Sequence, residues 1–509
     1  MPRPPNILVF MTDQQRGDLA LPDHPLAPPR LRAFAREGLQ FTRAYCPSPH
    51  CCPSRASFFT GLYPSRHGVW NNVLNERALS RGLRPGVRLW SEDLRAAGYD
   101  LAFAGKWHLS ADEFPSARGW RELSCVSALP GHRHGPDWAL YQHLARAPAS
   151  PSAQAPAPGL IRRPGWGDVR THGIDEAASA SRHDELAVAA AESFLRALPT
   201  AASGASASPA SAPWCLYVGL NAPHDPYLVP SRYLERVPPA AVRLPPSFDD
   251  ALRDRPGIYR RLREQVFGQL DRDAWLDLIR HYHALCLQAD DWFGRVLDAL
   301  AATGQADDTL VVFCSDHGDY LGDHGLLCKG IPCFESAYHV PALVRWPARL
   351  AAPGRVCDAF VSLVDFGPTF LEAAGLRPEK DAHSGASLLP FLRGEPAPAA
   401  WRDAVFTQCE GVELAYTQRS VRTRDWKYVH NGFDFDEFYD LRADPHETRN
   451  LAPDPAHRDT LRDLCARLWR FARAEGDTAF NDYWTVALAP HGPATAFDPP
   501  PADAPNHQS

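Results

Sequence analysis

Four short apolar runs constrain the fold of this chain more than any other feature: ILVFM after Asn6, Tyr99 to Ala104, Trp214 to Leu220 and Thr309 to Cys314 (TLVVFC). They are too short for buried helices and show no polar alternation, so they predict strands covered on both faces, the pattern of a mainly parallel sheet between helix layers. The residues just beyond each run are equally informative. The first leads into Asp13 and Gln14, the second into Gly105-Lys106-Trp107-His108, the third into Asn221-Ala222-Pro223-His224-Asp225, and the fourth into Ser315-Asp316-His317-Gly318-Asp319. Open α/β sheets bind ligands outside the carboxyl ends of their strands. Four strands that each deliver ionisable groups there predict one convergent site.

Between the strands, Leu31 to Glu37, Trp90 to Ala97, Asp184 to Leu198 and Val364 to Gly375 read as helices, and Trp275 to Ala302 as a long helix on the sheet face. His281 and His283 in that helix are two apart and project in different directions, which suits packing or surface residues better than a ligand pair. YHVPALVRWP from Tyr338 reads as a short strand. Two Ala/Pro/Ser-rich stretches, 145–158 and 200–213, carry too little apolar content to bury and read as surface insertions or flexible loops. Beyond about Pro396 the pattern changes to short alternating strands, Ala404 to Gln408, Tyr416 to Arg422 and Trp426 to His430, then a helix around Arg458 to Ala474. The expected organisation is a catalytic domain over 1–395, a small α+β domain with an antiparallel sheet over 396–485, and an extended tail over 486–509.

Composition narrows the function classes. A length of 509 residues favours more than one domain, and a formal net charge of −7 argues against nucleic acid as a partner. The apolar run near the N-terminus is too short for a signal-peptide core or a membrane span, so the expected location is cytoplasmic, or periplasmic or secreted if a signal has been removed. Twelve cysteines without framework spacing suit reduced thiols. Oligomeric state is not legible.

The densest stretch is Cys46 to His67, CPSPHCCPSRASFFTGLYPSRH. Pro53 in a first turn and Gly61 at the close predict a helix of about two turns with Cys51 just ahead of its N-terminus. Free N–H groups and the positive end of the dipole make a thiol there a candidate nucleophile. Cys51 and Cys52 as buried structural thiols, or Cys46, His50 and Cys51 as a zinc knuckle lacking a complementary pair, remain alternatives.

Cys51-Cys52-Pro53-Ser54-Arg55 with Thr60-Gly61 resembles the signature of the type I sulfatases, in which the first cysteine of C-x-P-S-R is oxidised to formylglycine. Gly105-Lys106-Trp107-His108, Pro223-His224, Ser315 to Gly318 with Gly322 to Gly325 and Lys329, and Tyr439 to Leu451 are similar to further motifs of that family, so the resemblance covers nearly the whole chain. It implies an alkaline-phosphatase-like α/β sandwich, with a large mainly parallel or mixed sheet flanked by helices and a small C-terminal domain. It also implies a sulfuric ester hydrolase acting on an aryl or, by preference, a carbohydrate sulfate, and a maturation enzyme as transient partner.

The same resemblance assigns roles. Cys51, as formylglycine hydrate, supplies two hydroxyls: one attacks sulfur, and deprotonation of the other expels sulfate. Asp13, Asp316 and His317, with Gln14 through its amide oxygen and the modified Cys51, would hold one divalent metal, calcium first, with magnesium or manganese as alternatives. Arg55 and Lys106 would hold the hydrate and the sulfate oxygens. His108 would be the base for sulfate release, His224 and Lys329 would face the leaving oxygen, and Asn72 would donate to the sulfate. Tyr227, Asp225, His132, His134, Glu410 and His430 could line the entrance. Gln14 and His317 stand where many sulfatases carry aspartate and asparagine, a pattern similar to relatives that cleave phosphonate monoesters or phosphodiesters. A metal- or glycan-binding protein with unconverted cysteine is the non-enzymatic alternative.

Overall fold

The structure is a computed structural model that describes residues 4–75, 78–126, 157–163, 167–199, 212–377, 381–412 and 414–478. His132, His134, nearly all of both Ala/Pro/Ser-rich stretches and the tail lie outside the described residues.

Eight strands form the main sheet: β1 (Asn6–Thr12), β2 (Leu39–Tyr45), β3 (Asp100–Lys106), β4 (Arg121–Val126), β5 (Trp214–Gly219), β6 (Thr309–Ser315), β7 (Ala342–Arg345) and β8 (Arg355–Ser362). Their order is β8-β2-β7-β6-β1-β5-β3-β4. All run parallel except β7, which is antiparallel to β6 and to β2, so the sheet is mixed. The four apolar runs become the contiguous centre β6-β1-β5-β3, and their interior residues are buried on both faces.

Register sets the site. Met11 pairs with Cys314 and with Gly219, and Gly219 pairs with Gly105, so the carboxyl ends of the four strands finish at one level. Gly105 is at φ +97°, and a Cβ there would lie 1.9 Å from the carbonyl oxygen of Gly219; only glycine lets β3 and β5 end this close.

Residues opposite one another in register share a face, and successive residues alternate. Phe10 packs on Phe293 of the long helix Arg272–Ala302, at 5.0 Å between ring centroids. Tyr217, in register with Val9 on the other face, packs on Phe58 and Phe59 of the helix Cys51–Thr60. Helices therefore cover both faces. Asp271, just before the point where the sequence pattern starts the long helix, accepts from the Ala274 N–H at 2.8 Å and caps it.

The C-terminal strands β9 (Ala404–Glu410), β10 (Thr417–Thr423), β11 (Trp426–Asn431) and β12 (Glu437–Asp440) pair antiparallel in that order. With the helix Arg458–Ala474 they enclose a small core of Val421, Tyr428, Phe438, Leu464 and Leu468. β12, at four residues, was not legible as a strand. Among the described residues no helix is long and apolar enough to cross a membrane.

Candidate active site

The helix Cys51–Thr60 is buried at all ten of its residues, so it has no solvent face, and its polar side chains, Ser54 and Arg55 among them, are bonded inside the protein. It is longer than the two turns its sequence predicts, and Cys51 is its first residue rather than the one ahead. Gly61 ends it at φ 69°, its N–H bonded to the Ser57 carbonyl at 2.9 Å. Aromatic packing fixes its far end: Phe59 stacks on Trp90 at 5.6 Å and meets Tyr217 at 4.9 Å, and the Trp90 indole donates to the Phe58 carbonyl. The Cys51 end is thereby directed at the ends of β1 and β6. Asn72, expected to donate to sulfate, uses its Oδ1 to accept the Cys52 N–H at 3.1 Å.

Cys51 Sγ lies 3.3 Å from His317 Nε2 and 3.6 Å from Asp13 Oδ1. One donor atom each from Asp13, Cys51, Asp316 and His317 falls within 4.8 Å of the others, and all four residues are buried. His317 Nδ1 faces the Gly318 carbonyl at 2.9 Å, an acceptor only, so that nitrogen carries the hydrogen. Its Nε2 lone pair then looks toward the thiol and two carboxylate oxygens, at 3.6 Å to Asp13 and 3.7 Å to Asp316. Such a ring of electron-rich atoms fits a cation at its centre, and the Nδ1–carbonyl bond is the usual outer support of a metal-bound histidine.

Arg55 departs from its expected part. Its Nε donates to Asp316 at 2.8 Å, NH2 to Asp13 at 3.1 Å and to the Leu220 carbonyl, and NH1 to the Lys106 carbonyl and Tyr217 hydroxyl at 3.1 Å each. All five guanidinium hydrogens are engaged within the protein. Arg55 thus fixes the two carboxylates and has no donor left for a sulfate oxygen. Lys106 Nζ lies 2.7 Å from Asp13 Oδ2 and is slightly exposed.

Gln14 also departs. It sits at φ 68°, a conformation held by its N–H on Asp316 Oδ1 at 3.1 Å and by its carbonyl, which accepts from the Tyr282 hydroxyl. Its amide oxygen accepts from Lys329 Nζ, and its amide nitrogen donates to Asp319 at 2.6 Å and Asp225 at 3.2 Å. The amide oxygen expected on a metal is therefore turned to Lys329. Lys329 Nζ also meets His224 Nε2 at 2.6 Å, while His224 Nδ1 is 2.7 Å from the Asp225 carbonyl. Tyr227, far from lining an entrance, is fully buried and donates to Asp319. His430 is buried within the C-terminal unit.

Three supporting residues carry no role in the motifs: Asp319 and Tyr227, which orient Gln14, and Asp184, whose carboxylate accepts the Asn221 and Ala222 N–H groups at 2.8 Å and pins the His224 loop. Asp319 had a signal, three residues beyond Asp316. Asp184 reads only as a helix-start acid.

Electrostatics match the geometry. Burial opposes ionisation of the Cys51 thiol, yet the ammonium groups of Lys106 and Lys329 hold it well below the usual thiol range. Burial and the neighbouring Asp13 push Asp316 up to about 6, whereas Asp13 is held low, against burial and Cys51, by Lys106, His224 and Arg55. His108, at φ 59°, lies against Cys51, and its Nδ1 has no hydrogen-bond partner among the described residues.

The family profile described as Sulfatase matches residues 5–376, and that described as N-sulphoglucosamine sulphohydrolase, C-terminal, matches 322–474. A choline-sulfatase of Rhizobium meliloti is 30% identical over 503 residues, spanning 91% of this chain and 87% of its own length. A solved structure in complex with its substrate D-glucosamine-2-N,6-O-disulfate superposes with a TM-score of 0.72 at 21% identity, covering 94% of this chain and all of that one. A phosphonate monoester hydrolase of Silicibacter pomeroyi gives a TM-score of 0.69 at 27% identity, covering 95% and 97%. With a profile spanning most of its length and relatives aligned nearly end to end, the chain belongs to the sulfatase family, a sulfuric ester hydrolase on the alkaline-phosphatase-like fold.

Proposed function

We propose that this sulfatase acts through a formylglycine made from Cys51 and that its natural substrate is a carbohydrate sulfate. The observation that carries the first part is the company of Cys51. A thiolate is a soft ligand, but its neighbours are two carboxylates and an imidazole, a set suited to a harder cation. An aldehyde hydrate in the same position presents oxygen in place of the sulfur, and a maturation enzyme acting before folding would make it.

Asp13, Asp316 and His317 would hold calcium, or magnesium or manganese, with the hydrate. Such an ion, when bound, polarises the sulfuryl oxygens and lowers the pKa of a hydroxyl beside it. The protein's own groups do the rest. Lys106 and Lys329 bring cationic charge to the sulfate oxygens. One geminal hydroxyl, its proton lost to solvent, attacks sulfur in line with the ester oxygen, the S–O bond to the alcohol breaks, and the proton held between Lys329 Nζ and His224 Nε2 passes to that oxygen. His108 then takes the proton of the second hydroxyl. The carbonyl re-forms as its carbon releases sulfate.

The sugar assignment rests on the C-terminal profile, whose description names a sulphoglucosamine hydrolase. The test is a mass measurement on the peptide containing Cys51, which is lighter by the difference between CH2SH and CHO when converted, together with turnover of glucosamine sulfates, choline sulfate and nitrophenyl sulfate. An unconverted thiol in active protein defeats the mechanism. Choline sulfate as the preferred ester defeats the sugar assignment alone. Gln14 and His317 favour one rival, phosphonate monoester hydrolysis, and faster turnover of an aryl phosphonate than of the aryl sulfate would establish it.

A further inference from the structure

A second cluster lies beside the strand that follows His224. Asp277 and His281 stand one turn apart on one side of the helix Arg272–Ala302. His172 begins the short strand His172–Ile174, which pairs in parallel with Tyr227–Val229, His172 opposite Tyr227. One donor atom from each of His172, Asp277 and His281 lies within 4.8 Å of the others, and the two imidazole centroids are 4.8 Å apart. Both histidines are buried, while the Asp277 side chain is 49% exposed.

The partners fix the ring hydrogens. His281 Nδ1 lies 2.8 Å from the Asp277 backbone carbonyl and 3.5 Å from its Oδ1, both acceptors, so Nδ1 carries the hydrogen and Nε2 keeps the lone pair that a metal would take after a turn of the ring. Thr171 Oγ1 donates to the Gly159 carbonyl at 3.1 Å, and therefore accepts from His172 Nδ1 at 3.0 Å. The His172 Nε2 lone pair then faces Asp277 Oδ2 at 3.1 Å. Two electron-rich atoms at that separation repel unless positive charge lies between them. A histidine whose far nitrogen is held by a hydroxyl or carbonyl is also the form in which metals are bound.

We propose that His172, Asp277 and His281 form a second divalent-cation site, of the zinc class, coupled to the catalytic site through Tyr227. Two imidazoles and one carboxylate suit zinc rather than calcium, and the exposed side of Asp277 leaves the fourth position to water. The ion clamps the strand of His172 to the long helix. Tyr227 is hydrogen-bonded to that strand through its N–H on the Thr171 carbonyl at 2.8 Å, and it follows His224 by three residues. Zinc at this site therefore stiffens the segment that carries His224.

The experiment uses the full chain with Zn²⁺ as probe and excess Ca²⁺, comparing wild type with Asp277→Asn and His281→Gln by equilibrium dialysis and thermal melting. Zinc bound at the catalytic cluster is common to all three proteins and cancels. The expected result is one more zinc per chain in wild type, a zinc-dependent rise in Tm that both variants lack, and an X-ray absorption edge of the extra ion showing two imidazole nitrogens. Asp277 is half exposed and Asn is its isostere, so that variant folds and decides the matter alone if His281→Gln does not. Equal zinc stoichiometry and equal melting shifts in wild type and Asp277→Asn overturn the proposal, and mean that a proton between His172 and Asp277 supplies the charge.

Discussion

Lys329 and His224 meet nitrogen to nitrogen at 2.6 Å, one proton serving both atoms, with the His224 ring oriented from behind by the Asp225 carbonyl. A proton donor so placed matters in proportion to the charge on the departing oxygen, which an alkoxide carries less easily than a nitrophenolate. His224→Ala is expected to slow alkyl or sugar sulfates by about a hundredfold and nitrophenyl sulfate far less. Equal losses on both esters in steady-state kinetics would make His224 a binding or structural residue.

Cys51→Ala is expected to abolish turnover in a folded protein, because the side chain is small and begins a helix. Cys52 is a different case. It is fully buried in the main core, so Cys52→Ala should keep its activity but lose on the order of 1 kcal/mol of stability. Activity assays with urea unfolding check both, and near-full turnover by Cys51→Ala would sink the mechanism.

Asp316→Ala removes a carboxylate that also receives Arg55 Nε and the Gln14 and His317 N–H groups. Both metal occupancy and rate should fall. Elemental analysis finding wild-type calcium, magnesium or manganese in purified Asp316→Ala would count against its assignment as a ligand.

Much of this site was legible because buried parallel strands advertise themselves as apolar runs, and their carboxyl ends must adjoin. Asp13, Lys106, His224 and Asp316 follow from that alone. The directions of side chains were not legible. Arg55 looks like an anion-binding arginine until its five hydrogens are traced to protein acceptors, and Gln14 looks like a metal ligand until Asp319 and Lys329 are seen to fix its amide. Neither constraint is local in sequence. β8 was missed for a related reason: its first residues alternate between half-buried and exposed, and it has no apolar run.

Arg55→Ala should therefore act on stability before catalysis. In metal-free protein it takes from Asp13 and Asp316 the guanidinium they share in a buried site, a loss of about 3–5 kcal/mol for a broken buried pair. Urea unfolding that found less than about 1 kcal/mol would show that Lys106 alone suffices, since surface pairs contribute no more than that.

His67 closes the signature stretch and gives the fold an acid-sensitive point. The ring is fully buried; its Nδ1 accepts the Val69 N–H at 3.0 Å, so Nε2–H donates to Ser57 Oγ at 3.0 Å. Burial, with Arg84 nearby, pushes its pKa down from the ordinary 6.5 to about 3. Between those values the unfolded chain takes up a proton that the native ring refuses, so stability falls as pH falls, approaching about 1.4 kcal/mol per pH unit from this group. Below about 3 both states are protonated and the loss is complete. His67→Asn keeps an acceptor for the Val69 N–H but cannot titrate. At pH 7 the variant should be the less stable, having lost the bond to Ser57, yet its stability should decline less between about pH 6.5 and 5.5, by about 1 kcal/mol relative to wild type. Urea unfolding at the two pH values measures that difference directly. Parallel declines in the two proteins would mean that the ring is protonated in the native state and that His50 and His283, also held near 3 by burial, carry the acid sensitivity.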